Sequence, residues 1–402
     1  MRGLWPVLVA VSLASFADRL LIFVLSLLVY EETRSVPALG LVLLLQALPV
    51  LLSGMLAALF APVGNSRWLL PVLYTGQGLL AAVLFLWPAP STVYPFTFLQ
   101  SLAARVAALV VLAWLPEWVG RDRLVAANAW LAAAMRTMQI VAPGLAGALL
   151  VAAGMRYGLA ASALAFLLAG LTIACGWPEG GGRATGLFAG HPVSQATAGR
   201  QATPPATTTG GTSWTDLALL LACSLLYGGA IGIHNVLFIP VVQDEMGYGP
   251  GMIGILMTAM GLGMAAGAAA MGAWARRLPV ILLPGSLAAL AAWLWLFSEA
   301  RSPGPALFVR FAMGVAHAGF GLVMVVSLQR MTETVGGRGR LLAIQKVAED
   351  GGLLAGLALG SVVAPVLGLV PTFRLAAAPA LLAVLVAVAW GARVRAPAPS
   401  GL

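Results

Sequence analysis

Charge is what this sequence has least of: Asp, Glu, Lys and Arg together make up 9% of its 402 residues, against roughly 25% in a soluble domain. With so little polar side chain, a water-soluble fold of this length has no means of covering its surface. Lysine is reduced to Lys346, so no Gly-Lys-Ser/Thr loop precedes a helix and a P-loop ATPase within the chain is excluded. Cysteine is reduced to Cys175 and Cys223, both inside apolar runs, where packing accounts for them better than a disulfide or a metal site. No His-Glu-x-x-His, paired Cys-x-x-Cys or Ser-His-Asp spacing stands out, so neither an enzyme nor a metal or organic cofactor is expected. The net charge of +9 does not point to nucleic acid, because the basic residues stand singly between apolar runs rather than on one hydrated face.

Apolar residues fill the space that charge leaves, at 61% of the chain, and the mean hydropathy is +0.97. A helix crossing the hydrocarbon of a bilayer needs about 20 mostly apolar residues, and the sequence predicts twelve such spans. The first six are Pro6 to Val29, Val36 to Phe60, Trp68 to Leu86, Tyr94 to Trp114, Ala126 to Ala153 and Tyr157 to Cys175. The second six are Leu217 to Val242, Met252 to Ala275, Val280 to Phe297, Ala306 to Leu328, Leu341 to Leu369 and Thr372 to Trp390. The first run is too long for a signal peptide and carries Asp18 and Arg19, so it reads as a retained span.

The resulting expectation is an all-α membrane protein of two six-helix bundles, residues 1–176 and 215–402. Between them, residues 177–214 are rich in Gly, Pro, Thr and Ala and read as a flexible cytoplasmic linker. With the N-terminus inside, the inner segments hold Arg2, Arg67, Arg121, Arg123, Arg183, Arg200, Arg276, Arg277, Arg330, Arg338, Arg340, Arg393 and Arg395. The outer loops hold only Arg34, Arg156, Arg301 and Arg374. This bias places both termini in the cytoplasm and the chain in the cytoplasmic, or inner, membrane.

The halves echo one another. Arg123 and Leu124 through Asn128 to Pro143 correspond to Arg340 and Leu341 through Gln345 to Gly360, and Leu39-Gly40-Leu41 corresponds to Ile253-Gly254-Ile255. Parallel repeats of this kind create a cleft between halves that rock about a site near the bilayer midplane. On Ala17-Asp18, Val29-Tyr30-Glu31, Leu39-Gly40-Leu41, Ala47-Leu48-Pro49 and Arg121 through Asn128, the chain resembles the major facilitator superfamily along almost its whole length. Within that superfamily it is most similar to the macrolide-efflux and enterobactin-exporter group. Ala142-Pro143-Gly144-Leu145-Ala146-Gly147 resembles the antiporter motif Gly-Pro-x-x-Gly-Gly of the fifth span, with Ala twice in place of Gly. Proline bends the helix there and small residues admit a close neighbour, so ordinary helix packing is the alternative to an exporter hinge. The family's loop motif Gly-x-x-x-Asp-Arg-x-Gly-Arg-Arg has decayed: Ala61 occupies its acidic position, and Gly272 to Arg277 in the second half also lack the acid.

An ionisable side chain at the bilayer centre costs about 2.5–3.5 kcal/mol on insertion scales, so it faces the protein and finds a partner. Asp18 and Arg105 each lie roughly 16–18 Å into their spans at 1.5 Å per residue. We therefore expect them to share the midplane, with Asp18 titrating and Arg105 holding or releasing its charge; a static ion pair is the alternative. The resemblance implies the same, since the first and fourth spans line the family's cavity. Arg19 points about 100° away from Asp18 around the helix, and Arg136 with Gln139 shares a face of the fifth span, within reach of Asp18. On the eleventh span Lys346, Glu349 and Asp350 stand at i, i+3 and i+4, so one cation faces two acids. This cluster is the second candidate for proton coupling, with a hydrated cytoplasmic network as its alternative. His234, Asn235 and His317 are further cavity candidates, as are the uncharged Gln46, Gln77 and Gln100, and Arg310 is expected to snorkel outward.

Sparse polar groups among Leu, Ala, Met, Phe and Trp suit a small amphipathic solute better than a sugar. The expected function is a proton-coupled exporter of amphipathic drugs or secondary metabolites, working as a monomer by alternating access. Its partners are the lipid bilayer, protons and that solute, and the proton gradient replaces any cofactor. An importer or lipid mover of the same fold, and a membrane receptor or scaffold without transport, remain as alternatives.

Overall fold

Helix starts in this chain are written with proline and serine. Pro6, Pro37, Pro250, Pro279 and Pro303 stand at the first positions of their helices, where the missing backbone donor is no loss. Ser35 caps the second helix by accepting from the amide of Ala38 at 3.3 Å. The computed structural model describes residues 4–52, 67–176, 214–277, 279–335 and 338–395. The linker, the decayed loop motif around Ala61, and the side chains of Gly272 to Arg277 lie outside the described residues.

Every regular element among the described residues is helical. The first half holds α1 (Trp5–Thr33), α2 (Val36–Leu51), α3 (Leu69–Leu86), α4 (Pro90–Val119), α5 (Leu124–Ala153) and α6 (Met155–Cys175). The second half holds α7 (Trp214–Pro240), which continues into a π turn over Val241–Glu245, then α8 (Pro250–Arg277), α9 (Pro279–Glu299), α10 (Pro303–Val335) and α11 (Arg338–Leu367). The last span is made of α12 (Leu369–Leu375) and α13 (Ala377–Arg395). Among the described residues eleven helices are long and apolar enough to cross a bilayer, and α2 is a shorter apolar helix. The chain is a multi-pass membrane protein.

Two glycines end helices at matching places in the halves. Gly154, between α5 and α6, has φ +89°, and Gly368, between α11 and α12, has φ +87°. Only glycine adopts this backbone without strain, and the same interval that separates these two residues separates Val36 from Pro250, the first residues of α2 and α8. The sequence repeat is therefore a repeat of backbone turns. It also shifts one expected boundary: the eleventh span stops before Gly368, and Leu369 opens the twelfth.

The chain divides into two compact units, one formed by Met1–Ala189 with Val242–Thr258 and the other by Gly190–Val241 with Ala259–Leu402. In the first, α6 packs along α1 and α3, and α2 packs on α4. In the second, α7 and α11 form the most extensive pair, and α9 packs on α10 and α13. Gly228 and Gly232 of α7 face Gly352 and Gly356 of α11 so closely that a methyl at any of them would enter the opposite backbone. Close approach through small residues replaces the hydrophobic drive that lipid cannot supply.

Candidate functional site

In the first unit the polar groups gather around α1. Asp18 is half-buried, and its carboxylate lies in the field of the guanidiniums of Arg19 and Arg105. Arg105 belongs to α4, which packs on α1. Arg19 is exposed and acts on the carboxylate through its charge alone. Arg136 is exposed and bonds instead within its own helix, donating to Gln139 Oε1 at 3.1 Å. Buried Gln100 donates to Gln77 Oε1 at 3.1 Å and so ties α4 to α3. Gln77 Nε2 and Gln100 Oε1 remain buried without a partner among the described residues.

The segment 242–258 completes this unit. Asp244 accepts from the Tyr30 hydroxyl at 2.5 Å and from Arg34 at 2.9 Å, and Gln243 donates to Glu31 at 3.2 Å. The small residues of the antiporter-like motif meet α8 here. A methyl on Gly147 would stand 2.9 Å from the Pro250 carbonyl oxygen, one on Gly144 2.8 Å from Thr258 Oγ1, and Gly254 lies against the carbonyl of Pro143. Ala142, Pro143, Ala146 and Gly147 are buried. The motif thus serves as a close-packing surface for the start of α8.

In the second unit two polar groups are built on α7. Toward one end, Arg310 of α10 is buried at 3% exposure and contacts His234 Nε2 at 2.6 Å. Its guanidinium stacks over Phe238 at 4.1 Å and near Phe297 at 5.7 Å. The expectation that Arg310 snorkels outward is therefore corrected: weak hydration and a planar face let a guanidinium settle among aromatic rings. His234 Nδ1 is buried with no partner among the described residues, whereas the next residue, Asn235, is exposed.

Further along α7, the Tyr227 hydroxyl makes a short hydrogen bond with His317 Nδ1 of α10, and the Tyr227 ring stacks on Phe320 at 3.8 Å. The charge of Glu349 reaches Tyr227 from α11. Glu349 accepts from Lys346 at 2.9 Å and from Gln345 at 2.9 Å, and Lys346 also pairs with Asp350 at 2.8 Å. Gln345 bonds Ser224 on α7 at 3.3 Å. The glycine contact of α7 with α11 is what brings these side chains together, so packing and site are one construction. Chemically the group can hold two carboxylates against one ammonium, with an imidazole and a phenol close by.

Residues 220–401 match the family model described as Major Facilitator Superfamily. Among solved structures, the chain is similar to a bacterial homologue of the iron transporter ferroportin at 17% identity and a TM-score of 0.69, covering 97% of this chain and 98% of that one. It is similar to the nucleoside transporter NupG at 14% identity and a TM-score of 0.70, covering 99% and 100%. A human organic anion transporter, MFSD10, aligns at 17% identity and a TM-score of 0.61, covering 96% and 99%. The chain has the major facilitator fold. No curated protein matches it by sequence. Each of these three structures is of a transporter or of a transporter's homologue.

Sequence reasoning missed Tyr30 and Tyr227 as partners of charge. The available signal was scarcity: the chain has six tyrosines, and Tyr227 stands in an apolar run where a hydroxyl must find a partner.

Proposed function

We propose that this chain is a secondary active transporter that couples proton movement to the export of a small amphipathic solute by alternating access, from a cytoplasmic membrane with both termini inside. The observation that carries this reading is the sharing of Lys346 by Glu349 and Asp350 at 2.9 and 2.8 Å within a membrane span. One ammonium balances one carboxylate, so the second is free to exchange a proton as its surroundings change. Asp18, flanked by Arg19 and Arg105, is the corresponding carboxylate in the first unit.

A metal cargo, as in the ferroportin homologue, is less favoured. Among the described residues no three His, Cys, Asp or Glu side chains group as metal ligands. The aromatic and aliphatic surroundings of Tyr227, His317 and Phe320 suit an organic solute with few hydrogen-bonding groups.

The test is reconstitution in proteoliposomes with an imposed pH gradient, following a panel of fluorescent amphipathic dyes. Gradient-driven dye movement opposite to proton flow is expected. Asp18→Asn and Glu349→Gln are each expected to cut the coupled rate at least tenfold while leaving dye binding within about threefold. Full proton-driven transport by both variants would reject the coupling role. Dye movement that dissipates the gradient in the same direction would make the protein an importer.

A further inference from the structure

On the outside of the first unit, a groove of about 560 Å³ runs along the packed pair α3 and α6. Its walls are Trp68 just before α3, Val72, Gly76 and Leu79 from α3, and Leu167 and Leu171 from α6. The α3 residues recur about every fourth position, so they form one stripe along the helix. Trp68 to Leu79 spans roughly 16 Å of that stripe at 1.5 Å per residue. The helices run antiparallel here, with Trp68 and Ala174 at one end of the groove and Leu79 and Leu167 at the other. Val72 is 62% exposed and Leu171 58%, a lining that water would not tolerate but hydrocarbon would.

The groove has a chemically distinct mouth. The Arg67 guanidinium sits 5.2 Å from the Trp68 ring centroid, and both side chains are exposed. Tryptophan and arginine beside the first turn of a span are the residues that rest at headgroup level. A slot the length of an acyl chain, greasy along its walls and cationic at its mouth, is complementary to one molecule already present around it. We propose that this groove holds one acyl chain of an anionic phospholipid whose phosphate is bound by Arg67. A second copy of the chain would find no acidic group placed for Arg67 along this stripe, since every groove-lining residue is uncharged.

The inference does not depend on transport, and its test reads lipid directly. Purified protein is equilibrated in mixed micelles of phosphatidylglycerol and phosphatidylcholine, and retained lipid is counted by native mass spectrometry. The wild type should hold one phosphatidylglycerol in preference to phosphatidylcholine. Arg67→Gln should lower that preference about fivefold, the worth of one basic residue at an anionic surface.

Gly76→Leu should abolish the retained lipid without harming the fold, because a side chain starting at Gly76 meets no atom within 4 Å and grows into the groove. Val72→Trp fills the same space from a second position and should act alike. Equal retention of both lipids by the wild type, or undiminished retention by both filled variants, overturns the proposal. Disulfide crosslinking of Val72→Cys between two copies in membranes would also overturn it, by making the groove a protein interface.

Discussion

Lys346 is shared by two carboxylates, and replacing it by Gln exposes what that sharing is worth. The Asp350 side chain is 12% exposed and the Glu349 side chain 26%, whereas Lys346 reaches outward at 55%. An uncompensated carboxylate inside a span costs about 2.5–3.5 kcal/mol, and Asp350 is the group that would bear this. Glu349 keeps the amide of Gln345 at 2.9 Å and part of its hydration, so its share of the Coulombic loss is within about 1 kcal/mol. Lys346→Gln should therefore destabilise the second unit by about 3 kcal/mol. At roughly 2–4 °C per kcal/mol for a unit of this size, the midpoint falls by about 6–12 °C. The assay is thermal unfolding of purified protein in detergent, read by size-exclusion fluorescence. In an Asp350→Asn background the same substitution should cost only about 1 kcal/mol, which leaves a coupling energy near 2 kcal/mol between positions 346 and 350. A coupling energy below about 0.5 kcal/mol would mean that Asp350 is solvated by other means. The surplus charge on which proton exchange rests would then be absent.

Two further outcomes follow from packing and from the Asp244 contacts. Gly228→Val should cost about 3 kcal/mol or more, because its first side-chain carbon enters the Glu349 carbonyl. Gly229→Ala, whose methyl would find its nearest neighbour at 3.8 Å, should be neutral or stabilising; both are checked by monodisperse yield and midpoint. Tyr30→Phe should cost about 1.5–3 kcal/mol, since it removes a hydrogen bond to a charged acceptor. Arg34→Ala should cost less than about 1 kcal/mol because the Arg34 side chain is 62% exposed, and paired melting curves will order the two.

Most of the fold was legible because lipid imposes a length rule on each span. The runs Trp68 to Leu86 and Ala126 to Ala153 agree with α3 and α5 to within two residues at each end. The rule fails where a helix continues past the hydrocarbon. The tenth run was expected to close at Leu328, yet α10 extends to Val335, because polar residues such as Gln329 and Glu333 are good helix formers once the apolar segment has nucleated the helix. It fails again at Gly368, where an apolar sequence runs on through the break. Hydropathy has no term for a backbone that must turn, and only the glycine itself, matched by Gly154, marks the place.

The site was legible along helices and much less so across them. Lys346, Glu349 and Asp350 share a helix, so their spacing alone foretold which groups would meet. Arg310 shows the opposite case. Its depth, one turn into a span, suggested escape to the interface, and nothing local contradicts that reading. What holds it inside is assembled from elsewhere: His234 and Phe238 from α7 and Phe297 from α9. A guanidinium is retained among rings only if several helices arrive with the right rotation, which is a property of tertiary packing and not of any one span's pattern. The same reasoning applies to Tyr227, whose partners His317 and Glu349 lie on two other helices. In a chain with so few charges, each buried one is therefore informative in number and position from sequence. Its partner becomes readable only once small-residue contacts such as Gly228 against α11 are known, because those contacts set the rotation that brings the polar faces together.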